Sequence, residues 1–332
     1  MSSLIECVPN FSEGRDQVVI DAIAGAIRSI NGVKLLHVDI GAAANRTVMT
    51  FVGEPSKVVE AAFQAIRTAS ELIDMRQHKG EHPRIGATDV CPLIPIANIE
   101  LEEVMKYAYK LANRVGMELE IPVYLYEASA TQDYRKNLAS IRKGEYEGLA
   151  EKMNFTKWKP DFGDNFNARS GATVIGARNF LIAYNVNLNT TSATIAQKIA
   201  QEVRESGKII EEKGRKKRIP GTCKSLKAIG WYIEEYGKAQ VSMNLTDFKV
   251  TGMHQAFEAC RIEASRLGVE VTGSELIGLV PLEALLAAGK FYQPQSEDHS
   301  TLLLAAIQAL GLSEIAPFHI EERVIEYLLE SK

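Results

Sequence analysis

One order of apolar periodicities is written twice along the chain: strand, helix, strand, strand, helix, strand. In the first half, Leu4 to Val8 alternates as a strand does, and Val19, Ile20, Ile23, Ile27 and Ile30 recur on one helix face. Val33–Ile40 and Thr47–Val52 read as a hairpin around the small residues of Gly41 to Asn45. Pro55 opens a long amphipathic helix, at a position where its missing N–H does no harm, and Val58, Val59, Ala62, Phe63, Ile66, Ala69 and Ile73 form its apolar stripe. Val90–Ile96 reads as a strand interrupted by prolines; a helix over Leu101–Val115 and a strand over Ile121–Tyr126 follow. The second half repeats the order with a strand at Phe180–Leu188, a helix at Ser192–Ser206, strands at Ala228–Ile233 and Ala239–Leu245, a helix at Thr251–Leu267 and a strand at Val269–Thr272. Three further helices are expected near Leu282–Ala288, Thr301–Leu310 and Ile320–Leu329. Each half is the split βαβ unit. The expected class is therefore α/β (α+β): two similar βαββαβ subdomains, residues 1–180 and 181–332, each a mixed sheet with helices on one face.

Composition removes several alternatives. The 332 residues carry 38 basic and 42 acidic side chains, a net charge of -4, so no global field draws the chain to nucleic acid or an anionic membrane. Any anion must be held by local groups. Four cysteines are too few for a disulfide framework. The first residues lack the basic and apolar regions of a signal peptide, and the apolar stretch Leu302–Leu312 is too short to span a bilayer. A cytoplasmic protein is expected.

Two polar stretches break the periodicity. Asp74 to Asp89 contains Gly80, Pro83 and Gly86, and an irregular segment inside a regular domain is more often functional than idle. His78 and His82 within it have the spacing of a helical metal pair, but Pro83 and Gly80 argue against a helix there. The alternatives are a general acid/base, which histidine serves near neutral pH, and a loop histidine capping the backbone. Asp39 ends a strand beside Gly41 and is placed either to orient a histidine or to close its own turn. Arg46 enters the next strand and can clamp a carboxylate or form a surface ion pair. The second stretch, Trp158–Phe162 with Asn165–Arg178, gathers aromatic, amide and guanidinium groups suited to a flat heteroaromatic ligand with a carboxylate tail, or to a plain crossover. The basic run Lys213 to Arg218 reads as a solvated loop, since no aromatic is interleaved to stack bases. Neither a P-loop nor a dinucleotide fingerprint is present.

Cys7-Val-Pro-Asn-Phe-Ser-Glu-Gly14, Asn45-Arg-Thr-Val48, His78-Lys-Gly-Glu-His-Pro-Arg84 and Thr88-Asp-Val-Cys-Pro92 together resemble the glutamate formimidoyltransferase family. Pro160-Asp-Phe-Gly163, Gly171-Ala-Thr-Val174, Gly176-Ala-Arg-Asn-Phe-Leu-Ile-Ala183 and Gly278-Leu-Val-Pro281 continue the resemblance in order along the chain. It implies transfer of the formimino group from N-formimino-L-glutamate to N5 of tetrahydrofolate in histidine degradation, with the folate a co-substrate lying between two subdomains. It also implies a homodimer without a metal, acting on free or polyglutamylated folate, whose product passes to a separate cyclodeaminase. By resemblance His82 is the acid/base, Asp39 its partner, and the folate segment spans Gly163, Asp164, Arg169, Ser170, Gly171 and Ala172. Arg46, Arg84 and Arg178 are then the candidates to hold substrate carboxylates. A basic insertion around Ile209–Lys224 looks longer than in animal relatives. Two other functions stay open at this point: formyl transfer between 5-formyltetrahydrofolate and glutamate, and a non-catalytic folate-binding module.

Overall fold

The computed structural model describes residues 3–42, 44–80, 82–212 and 215–330, and the chain divides into two compact units that meet in sequence between Asn179 and Phe180. The first unit begins with β1 (Leu4–Cys7) and β2 (Asn10–Phe11), two pieces of one strand broken near Pro9. They are followed by α1 (Gln17–Arg28), β3 (Val33–Gly41), β4 (Arg46–Gly53) and α2 (Pro55–Leu72). Asp16 caps α1 by accepting from the Val18 and Val19 amides, and Pro55 sits at the start of α2. After an irregular segment come β5 (Thr88–Ala97), α3 (Leu101–Glu118), β6 (Val123–Leu125), the short helices α4 (Leu138–Arg142) and α5 (Leu149–Lys152), and β7 (Thr173–Ala177).

These strands make one sheet in which β3, β4, the β1–β2 strand and β5 lie side by side and antiparallel, while β7 and β6 continue it in parallel. One face carries Ile5, Cys7, Phe11, Met49, Phe51, Leu93 and Ile175 into a core with α1, α2 and α3. The irregular middle of the unit covers part of the opposite face, packing Ile141, Leu149 and Met153 on Val90, Tyr124 and Val174. The prolines do not interrupt β5. Pro92 pairs with Gly176 on one side, and its carbonyl accepts from the Val8 amide at 3.2 Å on the other, so each proline removes a donor without ending the ladder.

The second unit runs β8 (Ile182–Leu188), α6 (Ala193–Val203), β9 (Lys208–Glu212), β10 (Arg215–Ile219), β11 (Leu226–Ile233), β12 (Lys238–Leu245), α7 (Met253–Arg266) and β13 (Val271–Ile277). The helices α8 (Leu282–Tyr292), α9 (His299–Leu310), α10 (Ile320–Arg323) and α11 (Ile325–Glu330) complete it. Its main sheet has the order β11-β12-β8-β13, which is the order of the first unit's antiparallel part. The expectation of a mixed sheet in both halves is corrected here: every pairing in this sheet is antiparallel, because nothing equivalent to α3 returns the chain to add parallel strands. A second correction concerns the basic run. From Arg215 it forms β10, paired with β9 in a separate hairpin, and Lys213 and Gly214 lie outside the described residues. The alternation of charged residues carries no apolar stripe and so hides the strand from a periodicity reading.

Candidate active site

Three segments of the first unit converge around His82. The loop before β5 is fastened first. Asn45, at the turn into β4 with φ 48°, donates from Nδ2 to the Lys79 carbonyl at 2.9 Å and accepts from the Gly14 amide at 2.9 Å. Gly80 passes so close to this turn that a Cβ would stand 2.4 Å from the Ala44 carbonyl oxygen. Arg84, which can only donate, gives Nε–H to His78 Nδ1 at 3.2 Å, so His78 carries its proton on Nε2 and donates it to the Asn45 carbonyl at 3.0 Å. Both ring nitrogens of His78 are therefore engaged in hydrogen bonds.

The far side of the loop is held by the stretch after α4. Arg84 is buried and bonds Glu147 at 2.6 and 2.8 Å and Glu145 at 3.0 Å. Glu147 is thereby drawn down to about 2. An open cleft of about 460 Å³ lies here, lined by Lys79, Gly80, Arg84, Gly144, Glu145 and Glu147.

The centre of the site is a buried ion cluster. Asp89, in β5 and fully buried, accepts from Arg46 Nη1 at 2.9 Å and from Arg142 Nη2 in a close contact, while its other oxygen accepts from the Ile85 amide at 3.1 Å and from Arg142 Nε at 3.3 Å. Burial pushes the Asp89 carboxyl up, but Arg142 and Arg46 more than reverse this, and it lies below its ordinary value. Arg46 also gives Nε and Nη2 to Asn10 Oδ1 at 3.0 and 2.6 Å. Burial lowers Arg46 to about 10, with Asp89 opposing the fall and Arg142 adding to it.

His82 is half-buried against this cluster. Its Nδ1 lies 2.9 Å from Arg46 Nη1 and 2.8 Å from the Pro83 carbonyl oxygen. The two contacts are alternatives: the carbonyl requires Nδ1–H, which leaves a lone pair on Nε2, and the guanidinium requires the opposite tautomer. Burial, then Arg46, then Arg142 lower His82 to about 3, with Asp89 opposing. The imidazole is neutral across the physiological range, as a proton acceptor must be.

The structure thus brings His82 and Arg46 together, along with three residues the sequence reading passed over: Asp89, Arg142 and Asn10. Asp89 is a carboxylate that acts on His82, and Asp39, the expected partner, is half-buried in β3 opposite Val48. Arg84 is taken up by two glutamates, and Arg169 donates to the Ser70 and Glu71 carbonyls at 3.3 and 2.5 Å, near the end of α2. Neither belongs to the cluster. Arg178 follows β7 and donates to the Asn179 carbonyl at 2.9 Å; its charge acts on Glu6, a buried β1 residue whose carboxyl burial raises to about 7. Gly163 adopts a left-handed φ of 73°, and Asp164 is exposed. Ser170, Gly171 and Ala172 are buried, and their backbone is joined to the base of the His82 loop through Ala87 N to Ser170 O at 2.8 Å and Ala172 N to Ile85 O at 3.0 Å. Asn10 and Asp89 stand inside motifs that sequence reading singles out, but Arg142 stands in none.

Comparison with known proteins agrees along the chain. A family model described as the formiminotransferase domain, N-terminal subdomain, matches residues 4–178, and one described as the formiminotransferase domain matches residues 183–330. The chain is 51% identical to a formimidoyltransferase-cyclodeaminase of Mus musculus and 49% identical to one of Dictyostelium discoideum, over 99% of its own length in both cases. It spans only 60% and 61% of those relatives. It is also 46% identical to a glutamate formimidoyltransferase of Streptococcus pyogenes serotype M1, over 88% of this chain and 94% of that one.

Proposed function

The chain belongs to the formiminotransferase family, and from that premise we propose that it moves the formimino group of N-formimino-L-glutamate to N5 of tetrahydrofolate, releasing L-glutamate and 5-formiminotetrahydrofolate. The observation that carries this reading is the state of His82: neutral, half-buried, and with Nε2 left as an acceptor when Nδ1–H donates to Pro83.

In this mechanism N5 attacks the carbon of the donor's protonated amidine, and the C=N π pair moves onto the imino nitrogen. The C–N5 bond forms, the N5 proton passes to His82 Nε2, and a tetrahedral intermediate results. His82 then returns that proton to the glutamate nitrogen as the carbon–nitrogen bond to glutamate breaks. The Pro83 carbonyl holds the ring through Nδ1–H, and the charges of Arg46 and Asp89 bear on the brief imidazolium, one opposing it and one favouring it. One group that accepts and then donates serves both halves of the reaction, and a positioned acid/base of this kind is worth roughly 10²–10⁴-fold. The buried backbone of Ser170 to Ala172, tied to the His82 loop, is assigned to the folate side. The reaction belongs in histidine degradation, in a cytoplasmic homodimer whose product goes to a cyclodeaminase.

The test is His82→Ala, assayed for turnover and for folate binding. A loss of about 10²–10⁴-fold in kcat with folate affinity retained is expected. Turnover within a few-fold of the parent enzyme would remove His82 from the chemistry.

A further inference from the structure

The cluster beside His82 is unbalanced. Arg46, Arg142 and Asp89 bring two positive charges and one negative charge into a site where the two arginine side chains are 11% and 15% exposed and the aspartate 1%. The charged groups acting on Asp89 are Arg142, Arg46 and His82, and those acting on His82 are Arg46, Arg142 and Asp89. Among the described residues no second carboxylate appears among these groups, and His82 is neutral. A charge held in so dry a place without a counter-ion is costly, and such an arrangement is built to receive an anion.

The hydrogen-bond pattern shows where the anion goes. Arg46 spends Nε and Nη2 on Asn10 and Nη1 on Asp89. Arg142 uses only Nε and Nη2, both on Asp89. Among the described residues its Nη1 meets no acceptor, and Arg142 is the more exposed of the two side chains. Asp89 fixes one edge of the Arg142 fork and leaves the other edge presented.

We propose that Arg142 is the anchor for a carboxylate of the formimino donor, taken up by its Nη1 edge beside His82. This rests on the formiminotransferase reading above. It also gives the anion a second effect. A carboxylate on Arg142 offsets the positive charge that disfavours imidazolium, so His82 becomes a stronger base when the donor is in place.

The test compares the parent enzyme with Arg142→Gln and Arg142→Lys. In steady-state assays, Arg142→Gln is expected to raise KM for N-formimino-L-glutamate at least tenfold and leave KM for tetrahydrofolate within twofold. Arg142→Lys, which keeps the charge without the fork, is expected to fall between. A role confined to holding Asp89 would instead lower kcat or shift both KM values together, and that result overturns the proposal. A second readout does not depend on turnover. The His82 imidazole is titrated by NMR with and without L-glutamate as the probe. L-glutamate is expected to raise its midpoint in the parent enzyme and not in Arg142→Gln; an unmoved midpoint in the parent, or an equal rise in both, overturns the proposal. If the parent enzyme transfers no formimino group while L-glutamate still raises the midpoint through Arg142, the functional reading fails and the carboxylate anchor stands.

Discussion

The two units share a strand order but place opposite electrostatics on the sheet face turned away from the main helices. In the first, Arg46 and Arg142 outnumber Asp89, and the donors exceed the acceptors. In the second, Glu275 accepts from Tyr236 at 3.0 Å, Gln240 at 3.1 Å and Asn185 at 3.2 Å. There Glu314 accepts from Asn187 at 2.7 Å and pairs with Lys238 at 2.9 Å, and Trp231 Nε1–H closes the network on Gln240 at 3.0 Å. Amides, a tyrosine hydroxyl and the Lys238 ammonium satisfy these acids, so the second network is closed while the first is open. The difference follows from the chain between β5 and β7, which exists only in the first unit and supplies Arg142. One topology therefore supports either a scaffold or a site, depending on what is inserted between its strands.

Removing an acid from each unit should separate the two. Asp89→Ala leaves two largely buried guanidiniums without their counter-ion, and breaking such a pair costs about 3–5 kcal/mol. Glu275→Ala leaves only neutral donors unpaired and should cost about 2 kcal/mol. Urea unfolding of both variants checks the order. Equal losses would mean that the second network is as strongly charged in effect as the first, and the contrast would fail.

A smaller effect sharpens the contrast through pH. Glu6 has a folded pKa of about 7 against an ordinary 4.5 because burial disfavours its anion, with Arg178 opposing. The native state thus holds a proton that the unfolded chain loses, and stability falls as pH rises from about 4.5 to about 7. Glu6→Gln should remove that fall and gain about 1–2 kcal/mol at pH 8; the full linkage ceiling of about 3 kcal/mol is reduced because the new amide also needs partners. His82 acts in the other direction. Its folded pKa of about 3 lies below the ordinary 6.5, so the stability tied to its neutral form is complete above 6.5 and is lost as pH falls toward 3. Parallel pH–stability curves for Glu6→Gln and the parent protein would exclude a buried, titrating Glu6.

How much of this was legible in the sequence depends on which signals are local. The Ile20, Ile23 and Ile27 stripe and the Pro55 start define α1 and α2, because burial of a periodic face is written every three or four residues. The repeated strand order was legible for the same reason. The hairpin of β9 and β10 was not, since its pairs set Lys216 against Glu211 and Arg215 against Glu212 with no buried face. The site was half legible. His82 and Arg46 stand in recognisable motifs, whereas the bond from Arg46 to Asp89 joins two strands that are not hydrogen-bonded neighbours and is written in no local pattern. Arg142 lies 53 residues from Asp89 in a short helix, and only tertiary packing brings it there.

The smallest expected effect tests how the open site is held together. Glu145 and Glu147 are 45% and 60% exposed, so each alone contributes at most about 1 kcal/mol through its pairing with Arg84, and Glu147→Gln should sit at the lower end. Arg84 itself is only 6% exposed, which makes the two acids unequal to their sum. Either one suffices as its counter-ion, so the loss of both leaves a buried guanidinium with only His78 beside it. The double variant Glu145→Gln/Glu147→Gln should therefore cost more than the two singles added, with a coupling of about 0.5–3 kcal/mol in a thermal double-mutant cycle. It should also lower kcat, because Arg84 fixes the His82 loop from the side opposite Asn45. Strict additivity with unchanged kcat would mean that the loop keeps its place without this latch, and that the open cluster of Asp89 alone sets the position of His82.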